Sequence, residues 1–564
     1  MRTRAALLLL SCASFVAGCP SQPSTTPMFD TGTGGDAGTG SDAGAPDDAS
    51  AMADTGMDGG TPASDTGVDA AAPPDDAGTD AAMAMDANRP DSGGGITTSV
   101  AAPPATIVRM GTSGLILRGT VLTPTGVLSP GEVLVTGNTI ACVAADCSGT
   151  AGASTATIID THATISPGLV DAHNHLSYDF LPEWVPPHLY MNRYQWANEP
   201  SYEAWIAPYA DHRSMSAYDC PGAKWGELRS IIHGTTTIQG ESFQRSCLDR
   251  LARNAEHYTG LGPSHMQTVI ASIRSVNDTD RMMLVSNFTT PVGNPATTRY
   301  VVHMQEGYAM DSVTLEFESY AGRDTRTVSL FRAPGGAPYE TGVFVHSMAL
   351  TDAQLDEALA MNARIVWSPS SNMVLYGQTA NIAGMLSRGI TVGLGPDWTP
   401  SGSDEMLSEM RYAQRYGVDN AIPALTAEQI WRMSTVDGAD VVGLSPIGTL
   451  AVGQRADISV FGRTSSDPYQ AVLDSRAADV RLVLIDGLGY YGDVALQAAT
   501  AVNTSCEAFD ACGARKYLCA ANTPGSMSAT SRYTETVADI RGQLTTILAA
   551  YSRTDLLELV DCSL

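Results

Sequence analysis

The feature that most constrains this chain is an apolar, strand-like run that ends in two histidines. Residues 165–175 read Ile-Ser-Pro-Gly-Leu-Val-Asp-Ala-His-Asn-His, so the apolar positions lead up to His173 and His175. Side chains two residues apart on a strand point the same way, and the two imidazoles therefore face one side. In an α/β barrel the carboxyl ends of the strands carry the chemistry. A His-x-His pair at that place supplies two of the three protein ligands of a facial zinc or iron site.

Three further strand-like runs end in residues that bind metals or carry protons. His303 ends the run Val-Val-His and is followed by Glu306, His346 ends Val-Phe-Val-His, and Asp397 follows Thr-Val-Gly-Leu-Gly-Pro. Because the chain has only ten histidines, this repeated placement favours one shared site. Each residue also has a structural interpretation, as a buried core histidine or, for Asp397, as the N-cap of a following helix.

The middle of the chain, residues 164–436, alternates apolar strand-like runs with helix-like ones, which is typical of a parallel sheet. Its length suits an α/β fold of the (β/α)8 TIM-type barrel class. The predicted strands after residue 175 are 235–239, 266–272, 299–303, 343–346, 364–367 and 391–394. The predicted helices include 352–361, 403–416 and 426–436, with Thr351 and Thr426 as N-cap residues.

Short runs rich in β-branched residues and broken by glycine lie on both sides of the barrel segment, at 104–163 and 437–497. They predict a small composite β-sandwich built from both flanks. Residues 498–564 contain four cysteines and a helix-like run at 534–551, and we interpret them as a Cys-rich helical C-terminal extension.

The first 103 residues predict export rather than a fold. Residues 1–18 combine two arginines, an apolar run and small residues, as a signal peptide does. The tetrapeptide Val-Ala-Gly-Cys19 resembles the lipobox of bacterial lipoproteins, which implies lipidation of Cys19; an ordinary cleaved signal peptide is the alternative. The expected location is the cell envelope, with the outer membrane favoured, and the expected membrane partner is reached through this lipid anchor.

Residues 19–103 predict a disordered linker rich in Asp, Ala and Gly. The stretch 20–100 contains 14 aspartates, one arginine and neither glutamate nor lysine, a net charge of −13 out of −28 for the whole chain. With few large apolar residues it cannot offset the entropy of ordering. A coil of ~80 residues spans about 50 Å on average. The acidic balance argues against nucleic acid as a partner.

Eight cysteines remain besides Cys12 and Cys19, and an even number in an exported chain favours disulfides over a metal cluster. Cys142–Cys147 and Cys220–Cys247 are candidate local pairs, and the last four cysteines, at 506, 512, 519 and 562, are expected to pair among themselves. The absence of any Cys-x-x-Cys spacing argues against a cysteine-bound metal.

The segment after the first barrel strand, residues 176–220, is long and rich in aromatic residues. One interpretation is a substrate lid or aromatic pocket, and the other is a small core packed on the top of the barrel. The sequence favours neither.

Taken together, these motifs resemble the amidohydrolase superfamily, in particular its cytosine-deaminase and chlorohydrolase-like branch. The resemblance covers residues 115–486. It is carried by Pro167-Gly-Leu-Val-Asp-Ala-His-Asn-His175, Gly234-Thr-Thr-Thr237, His303-x-x-Glu306, His346, Ser370-Ser-Asn-Met373, Gly395-Pro-Asp397 and Gly448-Thr-Leu-x-x-Gly-x-x-Ala-Asp457.

The resemblance implies one divalent metal, zinc or alternatively iron, held by His173, His175, His303 and Asp397. It implies that Asp397 takes a proton from a metal-activated water, that His346 polarises the substrate, and that Glu306 carries the proton to the leaving nitrogen. Candidate substrate contacts are Trp184, Asn372 and Trp398.

The expected activity is hydrolysis of a non-peptide carbon–nitrogen bond in a small molecule, either a cyclic amide or amidine or an aminated heterocycle. The alternative is a catalytically silent surface-binding lipoprotein with the same body. A lysine-bridged binuclear centre is not expected, because neither Lys224 nor Lys516 ends a predicted barrel strand. Glu241 leaves a second metal site open.

Overall fold

The computed structural model describes residues 98–240, 251–257, 259–262, 264–289, 297–333, 335–502, 504–521 and 535–562. These residues belong to one of two units, Ala70–Leu564; the other unit, Met1–Asp69, lies outside the described residues. The predicted signal peptide, the lipidation site Cys19, the acidic linker up to residue 97, Cys247 and Glu241 also lie outside them. Within the described part of the chain, no helix is long and apolar enough to cross a membrane.

Twenty strands are found in the described residues. In chain order they are β1 (Val100–Ala101), β2 (Thr106–Arg109), β3 (Leu115–Thr123), β4 (Gly126–Thr136), β5 (Thr139–Ala144), β6 (Thr157–Pro167), β7 (Leu169–Asn174), β8 (Thr235–Gly240), β9 (Arg253–Asn254), β10 (Met266–Val269), β11 (Arg299–Met304), β12 (Gly342–His346), β13 (Arg364–Trp367), β14 (Val392–Leu394), β15 (Ile458–Phe461), β16 (Arg463–Thr464), β17 (Val480–Ile485), β18 (Leu488–Asp493), β19 (Glu507–Ala511) and β20 (Ala514–Leu518).

Fifteen α-helices are found in the same residues. They are α1 (Arg193–Trp196), α2 (Pro200–Ala210), α3 (Ser216–Ile232), α4 (Asp278–Thr289), α5 (Asp311–Thr314), α6 (Glu316–Tyr320), α7 (Asp352–Ala360), α8 (Pro369–Tyr376), α9 (Ile382–Arg388), α10 (Met406–Asp419), α11 (Ala427–Met433), α12 (Val436–Val441), α13 (Pro468–Leu473), α14 (Gln497–Thr500) and α15 (Val537–Ala550).

The predicted α/β class is confirmed by two parallel sheets with helices between their strands. β7, β8 and β9 form one sheet, and β10 to β14 form the other in chain order. The strands of both are buried along most of their length, which explains their nearly continuous runs of valine, isoleucine and threonine. An isolated parallel bridge between Asn174 and Asp397 joins the end of β7 to the residues after β14. β9 and β10 belong to different sheets, so closure into a barrel stays a prediction.

Strands from both flanks share one ten-stranded sheet. Its order is β19-β20-β18-β17-β15-β6-β3-β4-β5, and β2 also pairs with β6. The two flanks meet where β6 and β15 pair antiparallel, with Ile165 opposite Val460. β6 then leads directly into β7, and the amide of Gly168 between them donates to the carbonyl of Asp457 at 2.9 Å. The sheet therefore fixes the start of the strand that carries His173. The two-layered sandwich and the domain boundaries stay predictions.

Both helix N-caps predicted from the sequence, Thr351 and Thr426, are found in the structure. Thr351 caps α7 and forms a capping box with Gln354, and Thr426 accepts the amide of Gln429 at the start of α11. The predicted helix at 426–436 is two helices, because α11 ends at Met433 and α12 begins at Val436. The predicted helix at 403–416 begins instead at Met406, since Glu405 is its N-cap.

The strand β9 could not be predicted from an apolar pattern, because it is two residues long and contains an arginine. The Arg253 Nε donates to Asp457 Oδ2 at 2.6 Å, and its other nitrogens reach Asp486 and the carbonyl of Thr259. The two aspartates lie more than 200 residues away in sequence, and all three partners compensate the burial of the charge. The predicted strand at 266–272 is shorter, since β10 ends at Val269.

Three disulfides join the described cysteines. Cys142 pairs with Cys147, Cys506 with Cys519, and Cys512 with Cys562, which confirms the local pair and the pairing of the last four cysteines among themselves. The predicted partner of Cys220, Cys247, lies outside the described residues.

The C-terminal extension packs against the aromatic segment that follows β7. The carbonyl of Leu557 accepts from the indole of Trp225 at 2.8 Å and from Arg229 at 2.9 Å, and the amide of Leu557 donates to the carbonyl of Phe180 at 3.0 Å. The guanidinium of Arg553 lies 4.1 Å above the centre of the Trp205 indole. The C-terminal extension therefore contacts the aromatic segment at Phe180 and at Trp205.

We expect the bond between Cys512 and Cys562 to stabilise the fold more than the short Cys142–Cys147 loop does. The chain-entropy relation gives about 4 kcal/mol for a sequence separation of 50 and about 2 kcal/mol for a separation of 5. Urea unfolding of the oxidised full chain, of Cys512→Ser with Cys562→Ser, and of Cys142→Ser with Cys147→Ser measures both. Equal losses would contradict this ranking.

Candidate metal centre and active site

The end of β7 and the residues after β14 are joined by two reciprocal backbone hydrogen bonds. The amide of Asp397 donates to the carbonyl of His173 at 3.0 Å, and the amide of His175 donates to the carbonyl of Asp397 at 2.7 Å. Asp397 has a positive φ of 73°, a conformation that is uncommon outside glycine. The backbone alone therefore brings three of the four predicted metal ligands together, although they are more than 200 residues apart in sequence.

The side chains of these residues converge on one point. Asp397 Oδ1 lies 3.1 Å from His173 Nε2 and 3.4 Å from His175 Nε2. Two ligand atoms of a tetrahedral zinc site, each ~2.0–2.1 Å from the ion, are separated by roughly 3.3 Å. The distances are thus those expected of atoms that share one cation. The side chain of His175 is 19% exposed and that of His173 is 1% exposed, so solvent approaches from the side of His175.

His303 and His346 complete the cluster from β11 and β12. The ring centre of His303 lies 4.8 Å from that of His173 and 5.5 Å from that of His175. The ligand atoms of His173, His303 and His346 lie within 4.8 Å of one another, as do those of His173, His175 and Asp397. The structure thus brings together all four predicted ligands, and His346 is close enough to be a fifth.

Two buried imidazole nitrogens in this cluster, His303 Nδ1 and His346 Nε2, have no hydrogen-bond partner, and a third, His173 Nε2, faces only the carboxylate of Asp397. Leaving a buried polar atom unpaired is costly, and such atoms are rare in folded proteins. A divalent cation would accept their lone pairs, and a set of imidazoles with one carboxylate is a common donor set for zinc and iron. The residues present therefore fit the predicted metal.

Hydrogen bonds to atoms that face away from the site fix the orientation of two of the ligands, His173 and Asp397. His173 Nδ1 lies 3.0 Å from Gln239 Oε1 on β8, and the amide oxygen only accepts, so Nδ1 carries the hydrogen and Nε2 faces the site with its lone pair. Ser371 Oγ donates to Asp397 Oδ2 at 2.6 Å, which turns Oδ1 toward the histidines. Such outer contacts hold metal ligands in place in known sites.

The pKa shifts in the cluster favour neutral His175 and His303 and an ionised Asp397, which are the forms that bind a metal, but they also favour a protonated His173, which must release its proton to bind one. Burial lowers the pKa of His175 to about 4 and, together with the neighbouring histidines, pushes the pKa of His303 well below its usual value. Burial would raise the pKa of Asp397, but the hydrogen bond and charge of His173 outweigh it and lower that pKa. Burial would lower the pKa of His173, but Asp397 outweighs it and raises that pKa. The point between these two residues therefore favours a positive charge.

The ring nitrogen of His346 that carries the hydrogen is not the one that its predicted role requires. Its Nδ1 lies 2.9 Å from Asn372 Oδ1, so the neutral ring carries its hydrogen on Nδ1 and presents a lone pair at Nε2. Polarising a substrate carbonyl needs a donor at Nε2, and burial lowers the pKa of His346, which opposes a second proton. Asn372, a candidate substrate contact, lies behind His346, and its Nδ2 donates to Thr379 at 3.0 Å.

Glu306 is buried at the edge of the histidine cluster, three residues after His303. Its Oε1 accepts from the hydroxyl of Tyr376 at 2.6 Å. Its Oε2 lies 3.6 Å from His346 Nε2 and 4.0 Å from Arg193 Nη1. One carboxylate oxygen is thus held by a tyrosine, and the other faces the site.

The aromatic segment forms a packed cluster above these residues. Its buried members are Trp184, Tyr190, Tyr202, Leu375, Tyr376 and Trp398. The Trp398 ring centre lies 5.5 Å from that of His175, whereas Trp184 is only 3% exposed and packs against Tyr190 and Tyr202. The structure therefore favours the packed core over an open pocket, and Trp398 is the candidate substrate contact of this cluster that lies beside the histidines.

Both lysines lie away from the site, as expected. Lys224 is in α3 and pairs with Glu535. Lys516 is in β20, where its Nζ lies 2.6 Å from Asp493.

Sequence reasoning did not assign a role to Tyr376, Ser371 or Arg193. Ser371 is inside the motif Ser370-Ser-Asn-Met373, and Tyr376 is four residues after Asn372 on α8. Residues four apart share a helix face, so that spacing was a signal for Tyr376. Arg193 gave no such signal, because its partners Ile270 and Glu316 lie more than 75 residues away.

Glu409 on α10 anchors the two loops that surround Asp397. Its carboxylate accepts from the hydroxyls of Ser370 and Ser403 and from the amide of Ser370 at 3.2 Å. Burial raises the pKa of Glu409 to about 7, although these hydrogen bonds oppose the shift.

Comparison with known proteins gives a consistent assignment. A family model described as the Amidohydrolase family matches residues 298–488. A 5-methylthioadenosine/S-adenosylhomocysteine deaminase of Desulfitobacterium hafniense is 41% identical over 156 residues, which is 26% of this chain and 36% of that protein. The match thus spans little more than a third of that relative. A 5′-deoxyadenosine deaminase of Methanothermobacter thermautotrophicus is 26% identical over 424 residues, 67% of this chain and 93% of that protein.

A solved structure has a similar fold. The zinc-bound adenosine deaminase from Xanthomonas campestris aligns with a TM-score of 0.50 and 18% identity, over 69% of this chain and 94% of that one.

We expect Gln239→Leu to weaken zinc binding about 10–100-fold, because the substitution removes the oxygen that fixes His173 Nδ1. Competition of the purified full chain against a zinc chelator measures the affinity. Gln414→Leu is the control, since Gln414 exchanges hydrogen bonds with Gln470 instead. Equal zinc affinity in Gln239→Leu and the control would contradict the arrangement.

Glu409→Gln should remove the part of the free energy of unfolding that depends on the proton bound to Glu409. The folded-state pKa of about 7 lies above the ordinary value of 4.5, so the folded chain binds the proton more tightly. Its contribution is complete below about pH 4.5 and is lost as the pH rises through 7. The excess free energy of unfolding of the unmutated chain over Glu409→Gln should therefore fall between pH 5 and pH 8. A constant or rising excess in urea unfolding would refute this.

Proposed function

The chain belongs to the amidohydrolase superfamily, and we propose that it is a metal-dependent hydrolase of a non-peptide carbon–nitrogen bond. The observation that carries the proposal is a pair of triads that share His173. His175 and Asp397 complete one triad, and His303 and His346, each with a buried nitrogen that has no partner, complete the other. We further propose that the eight parallel strands β7 to β14 close into a TIM-type barrel. The bridge between Asn174 and Asp397 and the likeness of fold support that closure. The sheet from both flanks would then be part of the composite sandwich.

His173, His175, His303 and Asp397 would hold one divalent metal, with zinc favoured over iron because these nitrogen and oxygen donors suit it. The chemistry that such a metal supplies is the activation of water for attack at neutral pH. Asp397 Oδ1 accepts a proton from that water. Ser371 keeps the other oxygen occupied with its hydrogen bond, so proton transfer does not require the carboxylate to rotate.

His346 has a revised role in this proposal. Because its Nε2 presents a lone pair, it accepts a hydrogen bond from the attacking water or from an amino group of the substrate, rather than polarising a carbonyl. Glu306 Oε2, 3.6 Å away, carries the proton to the leaving nitrogen. The two groups therefore act on the same side of the reacting carbon.

We favour an aminated heterocycle of the purine-nucleoside type as the substrate. The support is the relative of which the chain covers 93%, named a 5′-deoxyadenosine deaminase, together with the aromatic surface of Trp398 beside His175. Cyclic amides are the alternative within the same chemistry. A surface-binding protein without turnover is the other class, and it would not need Glu306 held at the site. We also propose export and lipid anchoring at Cys19, with the outer membrane favoured.

A screen of the zinc-loaded chain tests the reaction class. The probes are 5′-deoxyadenosine, 5′-methylthioadenosine, guanine, a lactam and a hydantoin, with release of ammonia and ring opening followed separately. We expect ammonia from at least one of the first three. Tight binding of these probes with no turnover of any probe would favour the silent binding protein.

Glu306→Gln should lower kcat about 10²–10⁴-fold, the usual contribution of a general acid–base group, and leave the bound zinc unchanged. Glu357→Gln is the matched control. Glu357 lies on helix α7, where its carboxylate pairs with Arg323. A Glu306→Gln variant with full zinc and full rate would refute the proton-transfer role.

A further inference from the structure

We propose that Tyr376 is a positioning residue that makes Oε2 the oxygen of Glu306 that carries the proton. The proposal rests on the proposed function, in which Glu306 moves a proton to the leaving nitrogen. It adds a task for the aromatic segment, because the partner that orients Tyr376 is Trp196 of α1.

The direction of both hydrogen bonds follows from the chemistry of the groups. Trp196 Nε1 lies 2.6 Å from the Tyr376 hydroxyl, which in turn lies 2.6 Å from Glu306 Oε1. An indole N–H can only donate, so the hydroxyl oxygen accepts from it. The single hydrogen of the hydroxyl is then left for Glu306. Since Tyr376 is 2% exposed, water does not offer its hydroxyl another partner.

This arrangement distinguishes the two oxygens of Glu306. Oε1 receives a hydrogen bond from Tyr376, and a proton on Oε1 would face the hydrogen that Tyr376 already directs there. A proton on Oε2 meets no hydrogen-bond donor, because Arg193 Nη1 is 4.0 Å away and donates to the carbonyl of Ile270. Oε2 is also the oxygen 3.6 Å from His346 Nε2. Hydrogen bonds to a charged acceptor are short and strong, as this one is, so the carboxylate is held in this orientation before the proton reaches it.

The backbone around Glu306 is fixed independently. The amide of Arg193 donates to the Glu306 carbonyl at 3.1 Å, and Glu316 Oε2 accepts from the amide of Gln305 at 2.7 Å. Gln305 has a positive φ of 50°. With the main chain held, the remaining freedom of Glu306 is in its side-chain torsions, and Tyr376 restricts these.

The proton transfer balances without a proton from tyrosine. Of the two protons of the attacking water, Asp397 Oδ1 takes one as the water oxygen bonds to the substrate carbon and later returns it to the product, and Oε2 takes the other. Oε2 then passes that proton to the nitrogen as the carbon–nitrogen bond breaks and the amine leaves. Tyr376 keeps its own hydrogen and donates the same hydrogen bond before and after.

A purely structural role of Tyr376 is the alternative, because its ring belongs to the buried aromatic cluster. Tyr376→Phe keeps the ring and removes only the hydroxyl. Trp196→Phe keeps an aromatic ring and removes the donor that directs the hydroxyl. Trp205→Phe is the matched control, since Trp205 belongs to the rim of the same cluster but its indole donates to the carbonyl of Pro182.

Steady-state kinetics with 5′-deoxyadenosine, or whichever screened probe the unmutated chain hydrolyses, test the proposal. We expect Tyr376→Phe to lower kcat about 10–100-fold, the scale expected when a catalytic group is misplaced, with KM and bound zinc unchanged. Trp196→Phe should lower kcat less, the double variant should match Tyr376→Phe alone, and Trp205→Phe should keep the unmutated kcat. Full kcat in Tyr376→Phe, or additive effects in the double variant, would overturn it.

A measurement without turnover separates this proposal from the proposed function. In the zinc-loaded full chain with ¹⁵N-labelled tryptophan, the indole signal lost in Trp196→Phe identifies Trp196 among the seven tryptophans. We expect Glu306→Gln to shift that signal when Tyr376 is present and to leave it in place in the Tyr376→Phe background. A shift in both backgrounds, or in neither, would overturn the proposed relay, the chain of hydrogen bonds from Trp196 through Tyr376 to Glu306, even if the protein were active. A relay without turnover of any probe would instead count against the proposed function.

Discussion

The site depends on the backbone pairing between the end of β7 and Asp397. Two hydrogen bonds, 2.7 and 3.0 Å long, connect His173 and His175 to a residue that arrives more than 200 positions later. They form only if Asp397 adopts its positive φ of 73°, a conformation that surrounding structure must enforce. That enforcement comes from Ser371 on the carboxylate and from Glu409, which ties Ser370 to Ser403 across the loop.

This pairing concentrates like groups that would otherwise avoid one another. Three imidazoles and two carboxylates are buried within one cluster beside the partly exposed His175, and two of the buried ring nitrogens have no partner there. Burial of so many polar atoms is unfavourable unless they are compensated. The opposite pKa shifts of His173 and Asp397 show that each residue stabilises the charged form of the other, and a bound cation would take the place of the proton on His173. The cluster is therefore organised for a cation rather than for a network of hydrogen bonds.

The sequence predicted the residues that end strands, because an apolar run followed by histidine or aspartate is visible without knowledge of the fold. His173, His303, His346 and Asp397 are of this kind. The sequence could not predict hydrogen bonds between side chains of different elements, because these depend on where each side chain points in the folded chain. Gln239 orients His173 from the next strand, and the tautomer that Asn372 imposes on His346 changes the role expected for that ring. Arg253 illustrates the same limit for the fold, since its strand is readable only once Asp457 and Asp486 are known to pair with it.

The aromatic segment shows why a long insertion need not be a lid. Its tryptophans and tyrosines are buried against one another, and the C-terminal extension braces them at Phe180 and Trp205. A mobile lid would lose these contacts each time it opened. A braced insertion instead provides fixed donors, and an indole is suited to this because its N–H has a single direction and no acceptor. Trp196 can therefore set the orientation of Tyr376, and through it of Glu306, without any movement of the segment.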